Sequence, residues 1–289
     1  MHPRDFTHGY LRVNGVRFHY VRAGAGERLV LLLHGFPEFW WSWRYQIGPL
    51  AERYTVVAPD LRGYNETEKP AWGYGLDVLS HDVAELIQAL GFRSAAVAGH
   101  DWGGAIAWAL AITRPWRVER LIALNSPHPA LFERHMRTNP RQMLRSWYMT
   151  FFLLPLLPEL ALSYDSYAPI AWRLRADTRG APVFSDDDLR LYRQALARPG
   201  ALRAALAYYR AVVYESPRGL FRGTGMRVTA PTLMIWGEQD AYLGRELVDG
   251  TERYVPDLRV RFLPSASHWV QQHCPREVTQ AMLEFLAEP

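Results

Sequence analysis

Short, unbroken apolar runs separated by glycine-marked turns open the chain. Residues 29–33 (LVLLL), 55–58 and 95–98 are each of strand length, and they end at His34-Gly35, Pro59-Asp60 and Gly99-His100. Runs that are apolar at every position predict strands of a parallel sheet covered on both faces. Ahead of them, residues 11–20 carry Asn14-Gly15 at their centre, which predicts a hairpin closed by a tight turn. Between the second and third runs, Leu79, Val83, Leu86, Ile87 and Leu90 recur at three- and four-residue spacing, predicting a helix over 76–90 that Gly91 stops. A second, small and apolar helix is predicted over 105–113, after Gly103-Gly104, with a strand at 121–124 beyond it. The β-α-β-α-β order predicts an α/β fold.

Near Pro127 the texture changes. Residues 128–225 hold helical patterns and clustered aromatics (Trp147-Tyr148, Phe151-Phe152, Tyr208-Tyr209), and Ser185 followed by three aspartates predicts a helix start. Strand texture returns at 232–236 (TLMIW) and 260–263, and a last helix is expected over 275–286. The expected organisation is a core in two parts, 1–127 and 226–289, interrupted by a helical cap at 128–225. No sequence repeat or low-complexity tract is present.

Composition narrows the chemistry. With 289 residues and 49% hydrophobic content the chain has a large core and is too apolar and aromatic for disorder. Its one cysteine, Cys274, excludes an internal disulfide framework and cysteine-rich metal sites. The net charge of +4 is small and the basic residues are scattered, so no nucleic-acid partner is expected. The amino terminus has no apolar signal core, and a cytoplasmic location is expected. Residues 151–157 (FFLLPLL) fall far short of the ~20 apolar residues of a membrane span. They could touch a membrane or a greasy substrate, but burial in an apolar pocket is expected, without membrane insertion.

Four turns carry candidate chemistry. In Gly99-His100-Asp101-Trp102-Gly103-Gly104 a small-residue turn joins a strand to a helix with Asp101 at its apex, the layout of a nucleophile elbow. A carboxylate there can attack carbon and form an ester, needing no base to deprotonate it first. His34-Gly35-Phe36-Pro37 follows another strand; the amide of Phe36, with that of Trp102, could stabilise an oxyanion. Asp240 lies in the loop after 232–236 and is favoured over Glu238 as the carboxylate that orients a histidine. His268 is the candidate base among ten histidines, with His273, His100 and His34 as structural rivals. Nucleophile, acid and histidine thus fall in the chain order of an α/β-hydrolase.

These residues resemble the α/β-hydrolase superfamily and, within it, the soluble epoxide hydrolases, over nearly the whole chain. His34-Gly35-Phe36-Pro37-Glu38-Phe39-Trp40 is similar to that family's oxyanion motif, whose proline is typically cis; 99–104 is similar to its nucleophile motif, and Asp60-Leu61-Arg62-Gly63-Tyr64 also has a counterpart there. The resemblance implies an α/β-hydrolase fold with an inserted cap. It implies Asp101 as nucleophile, His268 as base and Asp240 as its partner, with His34, Gly35, Pro37 and His100 structural beside them. It further implies two cap tyrosines that hold the epoxide oxygen: Tyr148, four residues before Phe152 in a segment ending at Pro155, and Tyr209, before Arg210, with Tyr208 as the alternative one residue away. Where the family often has polar residues before that proline, this chain has Leu153-Leu154, which implies an apolar pocket wall.

The implied activity is conversion of a small hydrophobic epoxide and water to a vicinal diol, by a monomer or homodimer without metal or organic cofactor. Haloalkane dehalogenases share the aspartate nucleophile, but Phe36 stands where many of them have asparagine. A fluoroacetate dehalogenase would want arginine where Trp102 stands, and a serine esterase is disfavoured by Asp101. A catalytically silent module that binds a hydrophobic small molecule is the remaining alternative.

Overall fold

The computed structural model describes residues 3–214 and 225–288. Among them, eight strands form one sheet in the order β1-β2-β4-β3-β5-β6-β7-β8. They are β1 (Thr7–Val13), β2 (Val16–Ala23), β3 (Leu29–Leu33), β4 (Thr55–Pro59), β5 (Ala95–His100), β6 (Val118–Leu124), β7 (Thr232–Gly237) and β8 (Leu258–Leu263). The hairpin β1–β2 turns at Asn14 and Gly15, whose φ values of 48° and 74° suit a tight two-residue turn. β2 meets β4 antiparallel, and from β4 to β8 every neighbour is parallel.

β3 explains the unbroken apolar runs. Leu29, Leu31 and Leu33 join the core under α2 (Leu76–Ala89) and α3 (Trp102–Thr113). Val30 and Leu32 join the core on the other face, under α1 (Arg44–Ala51) and the helix Pro275–Ala287. All five side chains are buried. A strand covered on both sides has no polar face to show.

Between β6 and β7 the described chain is helical: α4 (Pro129–Thr138), α5 (Pro140–Arg145), α6 (Trp147–Phe152), α7 (Leu157–Asp177), α8 (Asp186–Ala197) and α9 (Ala201–Tyr214). Residues 215–224, the end of the expected cap, lie outside the described residues. α8 begins as anticipated, with Ser185 and Asp188 forming a reciprocal capping box. α7 carries a kink, with positive φ at Asp165, Ser166 and Tyr167. Among the described residues no helix is long and apolar enough to cross a membrane.

Three expectations need correction. α3 starts at Trp102, not at residue 105. Gly103 and Gly104 do not precede the helix but lie inside it, because helix and strand approach too closely for side chains. A Cβ on Gly103 would sit 2.2 Å from the Leu33 carbonyl oxygen, and one on Gly99 would sit 2.2 Å from that of Gly103. The 151–157 segment is not buried throughout either. Phe152 is buried, but Pro155 and the positive φ of Leu156 carry the chain outward, leaving Leu154, Leu156 and Leu157 exposed. Leu153 and Leu154 line neither of the two cavities at Asp101, where Phe151 and Phe152 supply the apolar wall instead.

The close approach at Gly103 makes a prediction. Gly103→Ala must displace backbone, not a mobile side chain, and should cost at least about 2 kcal/mol. The urea midpoint should fall with an unchanged slope; an unaltered midpoint would show that the strand–helix contact is looser than described.

Candidate active site

The sheet order reverses at β3, which lies between β4 and β5. Loops at the carboxyl ends of strands beside such a reversal diverge and leave a crevice. The turn after β3 brings Phe36 there, and the turn after β5 brings Asp101. The loops after β6, β7 and β8 add Asn125, Asp240 and His268.

Asp101 holds a positive φ of 51° at the strand-to-helix turn, uncommon for a residue with a side chain and a form of strain associated with functional sites. Its Oδ1 accepts the Phe36 amide at 2.9 Å, and its Oδ2 lies 3.6 Å from His268 Nε2. His268 donates through Nδ1 to Asp240 Oδ2 at 2.7 Å. Asp240 also accepts the amides of Tyr242 (2.7 Å) and Leu243 (2.9 Å) and the Asn125 side-chain amide (2.6 Å). Glu238, the rival, forms a surface ion pair with Arg245 at 2.9 Å. Trp102 is the first residue of α3, so its amide belongs to the turn whose N–H groups have no acceptor within the helix.

Burial opposes charge on both partners, yet each carboxylate–imidazole contact favours it. His268 is held protonated well above the usual histidine range: desolvation works against this, and Asp240 and Asp101 overcome it. The Asp101 carboxyl is held below its ordinary range against the same burial, by His268, His100 and the Phe36 amide.

The rival histidines His34, His100 and His273 line neither of the two cavities at Asp101. His34 accepts the Leu61 amide at Nε2 (3.0 Å) and so donates through Nδ1 to the Gly35 carbonyl (2.9 Å); burial holds its proton affinity down. The bond between Phe36 and Pro37 is cis. His273 contacts Ser267. His100 links the Glu38 carboxylate (2.7 Å) to the His268 carbonyl oxygen (2.9 Å). Glu38 also accepts the Gly35 amide and the side chains of Gln271 and Gln272.

Asp101, Tyr148 and Tyr209 line two cavities, of about 540 Å³ and 140 Å³. The larger also takes in Phe36, Phe151, Phe152, Tyr242 and His268; the smaller is bounded by residues such as Phe132, Met149 and Val212. Burial, followed by neighbouring charges that include Asp101, holds both phenols well above the ordinary tyrosine range, so they remain hydrogen-bond donors. Tyr208 donates instead to the Arg62 carbonyl at 2.7 Å and lines neither cavity. Helix α9 thus turns Tyr209 to the cavities and Tyr208 to the core.

Sequence reasoning gave no role to Asn125, Glu38 or Tyr242. The Tyr242 ring stands 5.1 Å from that of His268, edge to face. Its hydroxyl meets Asp177 and Arg173 of α7, the latter at 2.6 Å, so the loop that carries Asp240 is tied to the helical layer. Glu38 stood in a quoted motif, but only the fold reveals its partners.

Replacing Asp101 by Asn removes one of the two anions that keep His268 charged. The imidazole should then titrate at lower pH than in the wild type, as followed by NMR of the ring protons. An unchanged titration would mean that Asp240 alone sets the charge.

A model of the alpha/beta hydrolase fold family matches residues 28–272. Human epoxide hydrolase 4 is 40% identical over 99% of this chain and 80% of its own length. The AB hydrolase superfamily protein YfhM of Bacillus subtilis is 41% identical over 96% of each chain. The crystal structure of Bacillus megaterium epoxide hydrolase with an inhibitor superimposes with a TM-score of 0.90 at 36% identity, covering 97% of this chain and 100% of that one. The chain is a hydrolase that belongs to the α/β-hydrolase superfamily and, within it, to the epoxide hydrolase family.

Proposed function

We propose that the chain converts a hydrophobic epoxide and water to a vicinal diol through an ester on Asp101. The observation that carries this is one geometry: a carboxylate and two phenols border the same apolar cavities, with an imidazole 3.6 Å behind the carboxylate. In the first step Asp101 attacks the less hindered epoxide carbon and the carbon–oxygen bond breaks. Tyr148 and Tyr209 hold the oxygen as it gains negative charge and help to protonate it, a contribution worth most where water is excluded.

The second step follows from the first by electrostatics. While Asp101 is ionised, His268 lies between two anions and keeps its proton. Ester formation neutralises Asp101, removing one anion; the imidazolium then gives up a proton, by way of water, to the phenolate left by ring opening and becomes a base. Oriented by Asp240, it takes a proton from water, which attacks the ester carbonyl. The amides of Phe36 and Trp102 stabilise the oxyanion, and the diol leaves. The reaction uses only these groups and needs no metal or organic cofactor.

We assign residues 128–225 as the cap and 1–127 with 226–289 as the core, acting in the cytoplasm as a monomer or homodimer. Two phenols on the cavities favour the epoxide reading over a dehalogenase, and the Trp102 indole packs edge to face on Tyr209 with ring centroids 5.0 Å apart.

Isotope labelling, two sets of variants and the substrate range test the assignment. A single turnover in ¹⁸O-water with excess enzyme should place label in Asp101 and not directly in the diol; label in the diol alone overturns the ester. Tyr148→Phe with Tyr209→Phe should slow ring opening by more than about 10³-fold. His268→Gln should leave opening in place and accumulate an adduct on Asp101 with the mass of the substrate. Turnover of haloalkanes but not epoxides would refute the proposal.

A further inference from the structure

The mouth of the larger cavity is unusually greasy for a surface. Leu144, Trp147 and Trp172, which line it, are 74%, 65% and 67% exposed. The helical layer continues this character along the chain with Leu156, Leu160 and Tyr164, at 72%, 68% and 74%. Leu144, Trp147 and Trp172 cluster on one opening, and a clustered exposed apolar surface marks an interaction site. No Asp or Glu occurs over residues 134–158, which hold Arg134, Arg137, Arg141 and Arg145. Arg137 is paired with Glu133 and Arg145 loosely with Glu246, at 3.6 Å. Arg134 and Arg141 form no ion pair among the described residues.

Two facts select the occupant. A second copy meeting this face about a two-fold axis would bring residues 134–158, which hold arginines and no acidic residue, to both sides of the contact. Any protein seated on Leu144, Trp147 and Trp172 would also seal the cavity that they border. A lipid surface does neither: leucine and tryptophan favour the interfacial layer, arginines meet its phosphates, and the hydrocarbon beneath dissolves apolar epoxides.

We propose that the face around the cavity mouth docks, without spanning, on an anionic phospholipid surface. Leu144, Trp147 and Trp172 enter the interfacial layer while Arg134 and Arg141 contact headgroup phosphates. Docking needs no chemistry at Asp101; only the delivery of substrate from the lipid rests on the proposed hydrolysis of epoxides.

Vesicle flotation of the full chain tests this. Recovery should be high with vesicles of phosphatidylcholine and phosphatidylglycerol, low with phosphatidylcholine alone, and should fall as salt rises. Arg134→Glu with Arg141→Glu should lower partitioning at least about tenfold. Leu156→Ser with Leu160→Ser, outside both cavity linings, should weaken flotation while turnover of a water-soluble epoxide is kept. Circular dichroism melting confirms that each variant is folded. Absence of flotation at every composition, or folded variants that float like the wild type, overturns the proposal. So does a concentration-dependent dimer in sedimentation velocity that Leu144→Ser abolishes, which would give this face to a second copy. Flotation without epoxide turnover would refute the proposed function and leave docking intact.

Discussion

His268 lies 2.7 Å from one carboxylate and 3.6 Å from another, in surroundings that penalise any charge. Both anions favour the protonated imidazole against that burial, Asp240 the more strongly, and most of the core serves to hold them in place. Asp101 follows β5, Asp240 follows β7 and His268 comes after β8, so three strand ends must stay in register. Parallel pairing of β5 to β6, β6 to β7 and β7 to β8 fixes that register. Asn125, after β6, adds a clamp: it is bonded both to Asp240 and to the Gly237 backbone, and so joins the acid to its own strand end.

A second carboxylate does comparable work out of the solvent's reach. Glu38 receives the Gly35 amide on one side and His100 on the other, and His100 reaches the His268 carbonyl. The turn that presents the Phe36 amide and the loop that presents the imidazole are therefore referred to one buried group. Leaving any of these polar atoms unpaired would cost more than each bond contributes, so the network stands or falls as a unit.

What the sequence disclosed and what it withheld divide along physical lines. The strands were legible because burial on both faces writes itself as unbroken apolar runs. The chain order of Asp101, Asp240 and His268 was legible because each follows such a run. The start of α3 was not, since Gly103 and Gly104 signal a break locally whereas their purpose is a backbone contact with Leu33. Leu153 and Leu154 were misjudged because hydrophobicity alone does not tell a buried leucine from one that faces outward. Glu38 was opaque for a different reason. Its side-chain partners lie 62, 233 and 234 residues away, and no local pattern records a contact of that range. The local spacing of Tyr208 and Tyr209 left both open; the turn of α9 distinguishes them, sending one hydroxyl to the Arg62 carbonyl.

The clasp formed by Tyr242 with Asp177 and Arg173 bears on how such an enzyme diversifies. Its ring abuts the imidazole while its hydroxyl grips the helical layer. Exchanging that layer for one from a relative, to alter which molecules enter, would also unfasten the loop behind the imidazole unless the transplant brought a matching acid and guanidinium. Breadth of substrate and alignment of the His268 ring are thus not independent traits in this chain, and a lineage that remodels one must carry the other with it.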